Sequence, residues 1–491
     1  MDNKISVSGS GRYDAKCLSP QSMLTGSLLS LANSVFIISV AVRALQPGTI
    51  FTSYFIIVSM AVSIAILFFL NYIIFRTYFN LLNVFMAAFF VFYAVHAITV
   101  INGTAIMTIL PRWNFDVMNY SLIVSYFALV AAMNGYVFSS GDSLIRFFQR
   151  RKARTINQKK LKVAILVLII TSMVFFYLFS KSLGGIISAL HNMGMLRISK
   201  EFLGKGLYYI PMVILGTVST FLTFGLKKNS KIWLAVTLLY GLLATFVSAF
   251  RYTIAILLCG VLVIQHLRRP FKLRVKYLLM GFLAFILIGP LPFAFRGKYG
   301  QIKFTSLGEQ IKYAVSYASA FRVSMVCDVL LHGNSILAVM AITSKMSDAG
   351  QYQYGYYSIS SLAGLIPRAV WPGRPTIGAK LINNYFWPGK ITDTGSPTVS
   401  SVGEAYWEGG IAGVGIVFFA LGGLFKFLEQ FRVKAASNLW VASAYALTLW
   451  FGSIYSHEAF LGTLATSLLY GVVLFVVYKL TTSPVKTVRQ R

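Results

Sequence analysis

Glu404 and Glu408 lie four residues apart beside an apolar run, in a chain that has few carboxylates to spend. Its 491 residues hold 13 Asp+Glu against 44 Lys+Arg. A carboxylate at the edge of a membrane span is costly, so two at one mouth suggest use rather than solubility. If the helix that follows begins early, the two share a face. In low-dielectric surroundings either could take the proton of a hydroxyl group as a general base. Plain helix-start electrostatics is the competing explanation, because acids favour a helix N-terminus. His457, next to Glu458 between the last two apolar runs, is a second group able to accept a proton or hold phosphate. Adjacent residues point apart on a helix, so that pair is not a metal site.

A second constellation is cationic. Arg251, Arg296, Arg322, Arg368 and Arg374 all fall at span ends or in one long polar segment. A guanidinium fork binds phosphate oxygens through two parallel hydrogen bonds and keeps its charge at any physiological pH. Several converging at one membrane surface would suit a diphosphate headgroup. Taken singly, each could equally snorkel to lipid phosphate. Arg251, in Val247-Ser-Ala-Phe-Arg-Tyr-Thr253, is the only charge inside the apolar stretch 232–267 and has no acid nearby.

The elements that must position these residues are membrane spans. With 57% hydrophobic residues, 12% charged and a mean hydropathy of +0.71, the chain is not an ordinary soluble domain. Apolar runs recur at 24–43, 50–75, 81–101, 117–138, 163–180, 207–225, 232–249, 252–267, 277–295, 410–425, 439–456 and 459–478. Each is near the length needed to cross about 30 Å of hydrocarbon. As one helix, 232–267 would reach about 54 Å, so it must fold back as a hairpin. No cleavable signal pattern precedes the first span.

A net charge of +31 does not here imply nucleic acid, because the basic residues sit in short loops between spans. The loop Arg146–Lys162 is densely basic with no acid, which places it in the cytoplasm. Counting outwards puts Arg76, Lys227–Lys231, Arg268–Lys272, Lys426–Lys434 and the tail Lys486–Arg491 on that same side. The consistent solution is an all-α polytopic protein of about 12 spans with both termini cytoplasmic. It divides into an N-terminal membrane region (1–295), a large outer loop between spans nine and ten (296–409) and a C-terminal membrane region (410–491).

Tyr352, Tyr354, Tyr356, Tyr357, Trp371, Tyr385, Phe386 and Trp387 make the outer loop too aromatic for a solvated tether. Residues 312–346 are amphipathic enough for helices lying on or re-entering the membrane. Gly409, Gly410 and Gly413 read as close helix packing. Cys17, Cys259 and Cys327 show no ligand spacing, and no Walker-type or dinucleotide glycine loop is present. No metal or cofactor is expected.

The order of features resembles the Wzy-type O-antigen and oligosaccharide repeat-unit polymerases of bacterial inner membranes. The matching residues are Phe250-Arg251-Tyr252, Ile366-Pro-Arg-Ala-Val-Trp-Pro-Gly-Arg-Pro375 and Ser396-Pro-Thr-Val-Ser-Ser-Val-Gly-Glu-Ala-Tyr406, within residues 230–430. The resemblance implies a C-type glycosyltransferase-like fold in the inner membrane. It implies transfer of a growing glycan from undecaprenyl diphosphate to the next lipid-linked repeat unit at the periplasmic face. Arg251, Arg296, Arg368 and Arg374 would then hold diphosphate, which makes a metal unnecessary. Glu404 or His457 would serve as base, with Glu408 and Tyr406 against the acceptor sugar. Undecaprenyl-diphosphate-linked oligosaccharides, the bilayer, a chain-length regulator and a flippase are the implied partners.

Two other classes share these features. An O-antigen ligase-type enzyme would use the same donor and rely on an outer histidine, His332 or His457. A lipid-linked oligosaccharide flippase should show two similar halves or broken helices near the midplane. The topology has its own test. A cysteine at position 155 should stay unlabelled when intact cells meet a membrane-impermeant thiol reagent, and its modification would overturn the orientation.

Overall fold

A computed structural model of the chain describes residues 19–75, 80–102, 114–139, 154–191, 206–228, 230–247, 251–268, 306–319, 335–349, 352–356, 371, 373, 400–435, 438–454 and 460–484. Among these residues it is almost wholly helical. In chain order the first helices are α1 (Ser19–Leu45), α2 (Ile50–Phe75), α3 (Leu81–Phe89), a π-helical turn (Phe90–Val95), α4 (His96–Ile101) and α5 (Phe115–Phe138). Next come β1 (Arg154–Ile156), α6 (Gln158–Lys181), α7 (Ile186–His191), α8 (Gly206–Leu222), α9 (Ser230–Val247) and α10 (Arg251–Arg268). The remainder is α11 (Leu307–Ser319), α12 (Ser335–Ala349), α13 (Ser401–Ala435), α14 (Leu439–Ile454), α15 (Phe460–Thr481) and β2 (Thr482–Pro484). Asparagine starts several helices: Asn80, Asn114 and Asn157 each accept a backbone N–H of the first turn through the side chain, which satisfies a donor the helix itself cannot.

Seven of the described helices are long and apolar enough to cross a membrane, and five shorter apolar helices accompany them. The chain is therefore an all-α membrane-embedded protein. Its outer surface is apolar: Val163, Leu166, Val167, Ile170, Met173 and Val174 line one exposed face of α6. In water such a face would be an association surface; against lipid it is the ordinary one. Eleven of the twelve expected spans fall on observed helices, and the twelfth, 277–295, lies outside the described residues. The stretch 232–267 is indeed two helices, α9 and α10, packed on each other. Lys426 and Lys434, expected in a loop, are helical, because α13 runs on to Ala435.

Small residues bring α5 and α13 together. Phe127 lies against Gly415, and Ala132 against Gly422, so the two helices run parallel. A Cβ at Gly422 or Gly135 would collide with the facing backbone, at Ala132 and Phe419 respectively, which leaves only glycine there. Antiparallel to α5 runs α1, with Arg43 over Tyr120 at one end and the Asn33 and Asn134 amides bonded at 3.1–3.2 Å further along. Polar pairs such as Ser53–Asn119 and Ser63–Tyr126, each at 2.5 Å, join α2 to α5 in the interior. Buried α12, part of the expected outer loop, packs against both α5 and α13, with Thr343 and Ser121 hydroxyls 2.9 Å apart.

At the other end of the bundle, β1 pairs antiparallel with β2, Arg154 opposite Pro484. Leu161 and Leu439 close on Gly225 beside it. Lys159, Lys160, Lys227 and Lys228 thus gather at one end.

Towards this basic end the interior holds a charge cluster. Glu429 on α13 is fully buried, takes both Nε and Nη2 of Arg432, and accepts the Tyr445 hydroxyl from α14. Arg432 stacks on the Tyr445 ring at 5.2 Å. Removing one partner of a buried pair strands the other charge, at a cost of about 3–5 kcal/mol. Arg432→Ala should therefore lower the thermal midpoint of the detergent-solubilised protein sharply. A double change, Glu429→Met with Arg432→Leu, should recover most of that loss. Equal instability of the two variants would show that the charges are not what binds α13 to α14.

Candidate functional site

The segment that holds both carboxylates is a helix cut in two. Ser400 starts it, its Oγ accepting the Gly403 N–H at 3.0 Å. The helix reaches Glu408 and breaks at Gly409 and Gly410, where Gly410 has φ 61° and ψ −149°. That conformation is essentially reserved for glycine. Beyond the break the chain swings back close enough that a Cβ at Gly413 would stand 2.5 Å from the Ala405 carbonyl oxygen. The three glycines expected at a helix–helix contact therefore divide. Gly413 makes a close approach, whereas Gly409 and Gly410 form the break, and a Cβ at Gly409 would meet nothing within 4 Å.

A short helix inside the protein ends with carbonyls that need donors. The segment Tyr352–Tyr356 supplies them. Gln353 N–H donates to the Trp407 carbonyl at 3.0 Å and Tyr354 N–H to the Glu408 carbonyl at 2.8 Å. Gly355 N–H donates to Glu408 Oε2 at 2.5 Å. Tyr354 and Gly355 reach these positions with φ of 47° and 89°, strain that the three bonds hold in place. Glu408 thus ties the segment Tyr352–Tyr356, a strap, to the end of the short helix. A carboxylate is unfavourable at a helix C-terminus, and the amide bond offsets this.

Beside the short helix a cavity of about 460 Å³ is lined by Arg43, Asp116, Val117, Tyr120, Thr343, Ser344 and Tyr406. Ligand pockets run from about 300 to 1,000 Å³, so it is of ligand size. The Tyr120 and Tyr406 hydroxyls are 2.9 Å apart, and their rings meet edge to face at 6.2 Å. Tyr352 of the strap closes on Tyr406 from the other side at 6.3 Å. Arg43, in the last turn of α1, holds its guanidinium 5.1 Å from the Tyr120 ring centre. Its Nε is enclosed and has no hydrogen-bond partner among the described residues. Asp116, in the first turn of α5, sits against Gly48 in the α1–α2 turn, where a Cβ would come within 2.9 Å of Oδ1. Gly48 has φ 72°, so the turn both needs glycine and leaves room for the carboxylate. Arg43 and Asp116 face the same cavity without an ion pair between them.

Of the residues singled out from the sequence, Tyr406 is in the cavity wall. Two residues along a helix of 3.6 per turn is about 200° of rotation, so Glu404 and Glu408 share the face away from Tyr406. Both are buried, with 3% and 8% of their surface exposed, and neither lines this cavity. Arg251 is the first residue of α10, but its side chain lies outside the described residues. So do Arg296, Arg322, Arg368, Arg374, His332 and His457. The structure adds Arg43, Asp116, Tyr120 and Thr343. Two carried a signal in the sequence, since Arg43 and Asp116 are charges at the ends of apolar spans. Nothing in the spacing indicated that those ends meet. Comparison of the chain with family models, curated proteins and solved structures gives no match.

The break has a direct test. Gly410→Ala forces a side chain into a glycine-only conformation and against Tyr352 at 3.1 Å, a strain of about 1–3 kcal/mol. It should lower the melting temperature measurably, while Gly409→Ala, with φ −161° and open space around it, should leave it near wild type.

Proposed function

We propose that this chain polymerises lipid-linked polysaccharide repeat units, moving the growing glycan from undecaprenyl diphosphate onto the next lipid-linked unit at the outer membrane–water boundary. One observation carries the reading. Tyr406, the last residue of the Ser396–Tyr406 segment on which the resemblance rests, forms the wall of a polar, aromatic-lined cavity at the end of the bundle away from the basic strand pair. By the charge bias of membrane proteins the basic end is cytoplasmic, which would put the cavity outside, where the lipid-linked substrates are joined. The acceptor needs a hydroxyl held and deprotonated. The donor leaves as a diphosphate that arginines stabilise electrostatically.

In this reading Glu404 deprotonates or orients the acceptor from the buried face of the short helix opposite the cavity, and Glu408 acts by holding the strap over the break. Arg251, Arg296, Arg368 and Arg374 are the proposed diphosphate ligands. His457 is the alternative base. The setting is a bacterial inner membrane, with both termini in the cytoplasm.

The interruption of α13 at Gly409–Gly410 favours a second reading. Transporters bind substrate where helices break near the bilayer midplane, and a lipid-linked oligosaccharide flippase would share the broken helix, although here the break lies towards one end of the bundle. Glycans extracted from a strain lacking the protein separate the two. Loss of a polymerase leaves acceptor carrying a single repeat unit, whereas loss of a flippase leaves none.

Glu404→Gln tests the chemistry. A missing general base costs about 10²–10⁴ in rate, and a lost helix-start charge costs only about 0.3–1 kcal/mol of stability. The variant should therefore accumulate at normal levels and yield single repeats. Long chains at normal protein level would reduce Glu404 to a helix-start residue and move attention to His457.

A further inference from the structure

The cavity's charges are what decide its ligand. Arg43 supplies a donor fork and Asp116 an acceptor pair within one wall, and they do not neutralise each other by pairing. The same wall holds the rings of Tyr120 and Tyr406, with Thr343 and Ser344 contributed by α12. A cation at the end of a helix is often only dipole compensation or a snorkelled side chain. Arg43 does not fit that description, since its Nε is shut away from solvent and its guanidinium is turned over Tyr120. A snorkelling arginine would instead extend into the headgroup layer.

We infer that this cavity is a subsite for one uncharged pyranose ring of a glycan, with Arg43 donating to and Asp116 accepting from its hydroxyls and one of the two perpendicular tyrosine rings against its C–H face. Two features exclude a diphosphate as the occupant. Among the described residues one cation, Arg43, lines the cavity, and the Asp116 carboxylate would face the phosphate charge unpaired, an arrangement that selects against anions. A sugar hydroxyl both donates and accepts, so it satisfies both groups at once. A polar cavity of this kind rejects ligands that leave its groups unmatched. Thr343 fits a positioning role, because its hydroxyl is already fixed by the Ser121 hydroxyl at 2.9 Å and the Val339 carbonyl at 2.8 Å. The inference deepens the glycan-transfer reading and rests on it for the source of the sugar. It separates the sugar subsite from the arginines proposed for the diphosphate.

The test uses the full chain in phospholipid nanodiscs, free of glycoside detergents that would fill the cavity. Saturation-transfer NMR is run against methyl glycosides of hexoses, N-acetylhexosamines and 6-deoxyhexoses, with inorganic pyrophosphate as competitor. At least one glycoside should receive saturation, and pyrophosphate should not displace it. Binding should weaken by about tenfold or more in Asp116→Asn and in Arg43→Gln, each removing a hydrogen bond to a charged group. Asp116→Asn keeps side-chain size and Arg43→Gln shortens the side chain while removing its charge, and a wild-type melting temperature confirms that the fold is intact. Should one of them fail to fold, the other together with pyrophosphate competition decides. Absence of saturation from every glycoside, displacement by pyrophosphate, or unchanged binding in a folded variant would overturn the inference. Glycan chain length in cells separates it from the transfer reading. Sugar binding with chain length indifferent to loss of the protein leaves the subsite standing and removes the polymerase. Collapsed chains with no sugar binding do the reverse.

Discussion

A polypeptide inside a membrane has no water to hydrogen-bond a helix end, so every break must be capped by the protein itself. The interruption of α13 is the place where this constraint shapes the molecule. The carbonyls of Trp407 and Glu408 find donors in Gln353 and Tyr354, and Glu408 binds the Gly355 amide. The same strap brings Tyr352 against both Tyr406 and the Cα of Gly410. One solution to one problem of backbone chemistry therefore also builds a wall of the cavity. Without the strap the short helix would end on unsatisfied carbonyls in the protein interior, each costing about 1–3 kcal/mol.

The second requirement is that Tyr406 face Tyr120, and a seam of small residues provides it. Gly415, Gly422 and Gly423 on α13 meet Phe127, Ala132 and Ser139 on α5. In lipid, helices gain nothing from hiding apolar surface from each other, so association depends on close backbone approach and on polar bonds. The seam allows the first, and the 2.9 Å contact of the Tyr120 and Tyr406 hydroxyls adds the second. At the far end Glu429, Arg432 and Tyr445 bond α13 to α14. The long half of α13 is thus held along α5 from the break onward and fixed to α14 at its basic end.

Much of the helical frame was legible in the sequence, because hydrocarbon thickness sets span length. The hairpin at α9 and α10 followed from the length of the apolar stretch and the basic clusters at both its ends. The break in α13 was not legible. Gly409 and Gly410 sit in a glycine-rich apolar run where packing and breaking leave the same composition, and the difference lies in the φ of Gly410, which depends on Tyr352 fifty-eight positions earlier. The cavity escaped notice for a related reason. Arg43 and Asp116 are single charges at the ends of two spans, and only the antiparallel contact of α1 with α5 makes them neighbours. Buried α12 lies in a stretch read as helices lying on or re-entering the membrane, and the moderate apolarity of Ser335–Ala349 suits an interior position among other helices as well as an interface.

The scarcity of acids can now be weighed. With 13 in the chain, a carboxylate beside a span looked like chemistry, yet the structure gives the described acids different work. Glu429 binds an arginine and a tyrosine that join two helices, Glu408 holds the strap, and Asp116 opens into the cavity. Burial follows the same division: Glu429 and Glu408 are enclosed where their oxygens bond protein groups, and Asp116 is exposed where an incoming ligand could meet it. In a membrane a carboxylate persists only where something repays its desolvation, and a structural donor does so as well as a substrate does. Rarity therefore marks these acids as used without saying for what. What distinguishes a ligand-facing acid is that it shares an open wall with an opposite charge it does not pair with, and among the described acids Asp116 meets that condition.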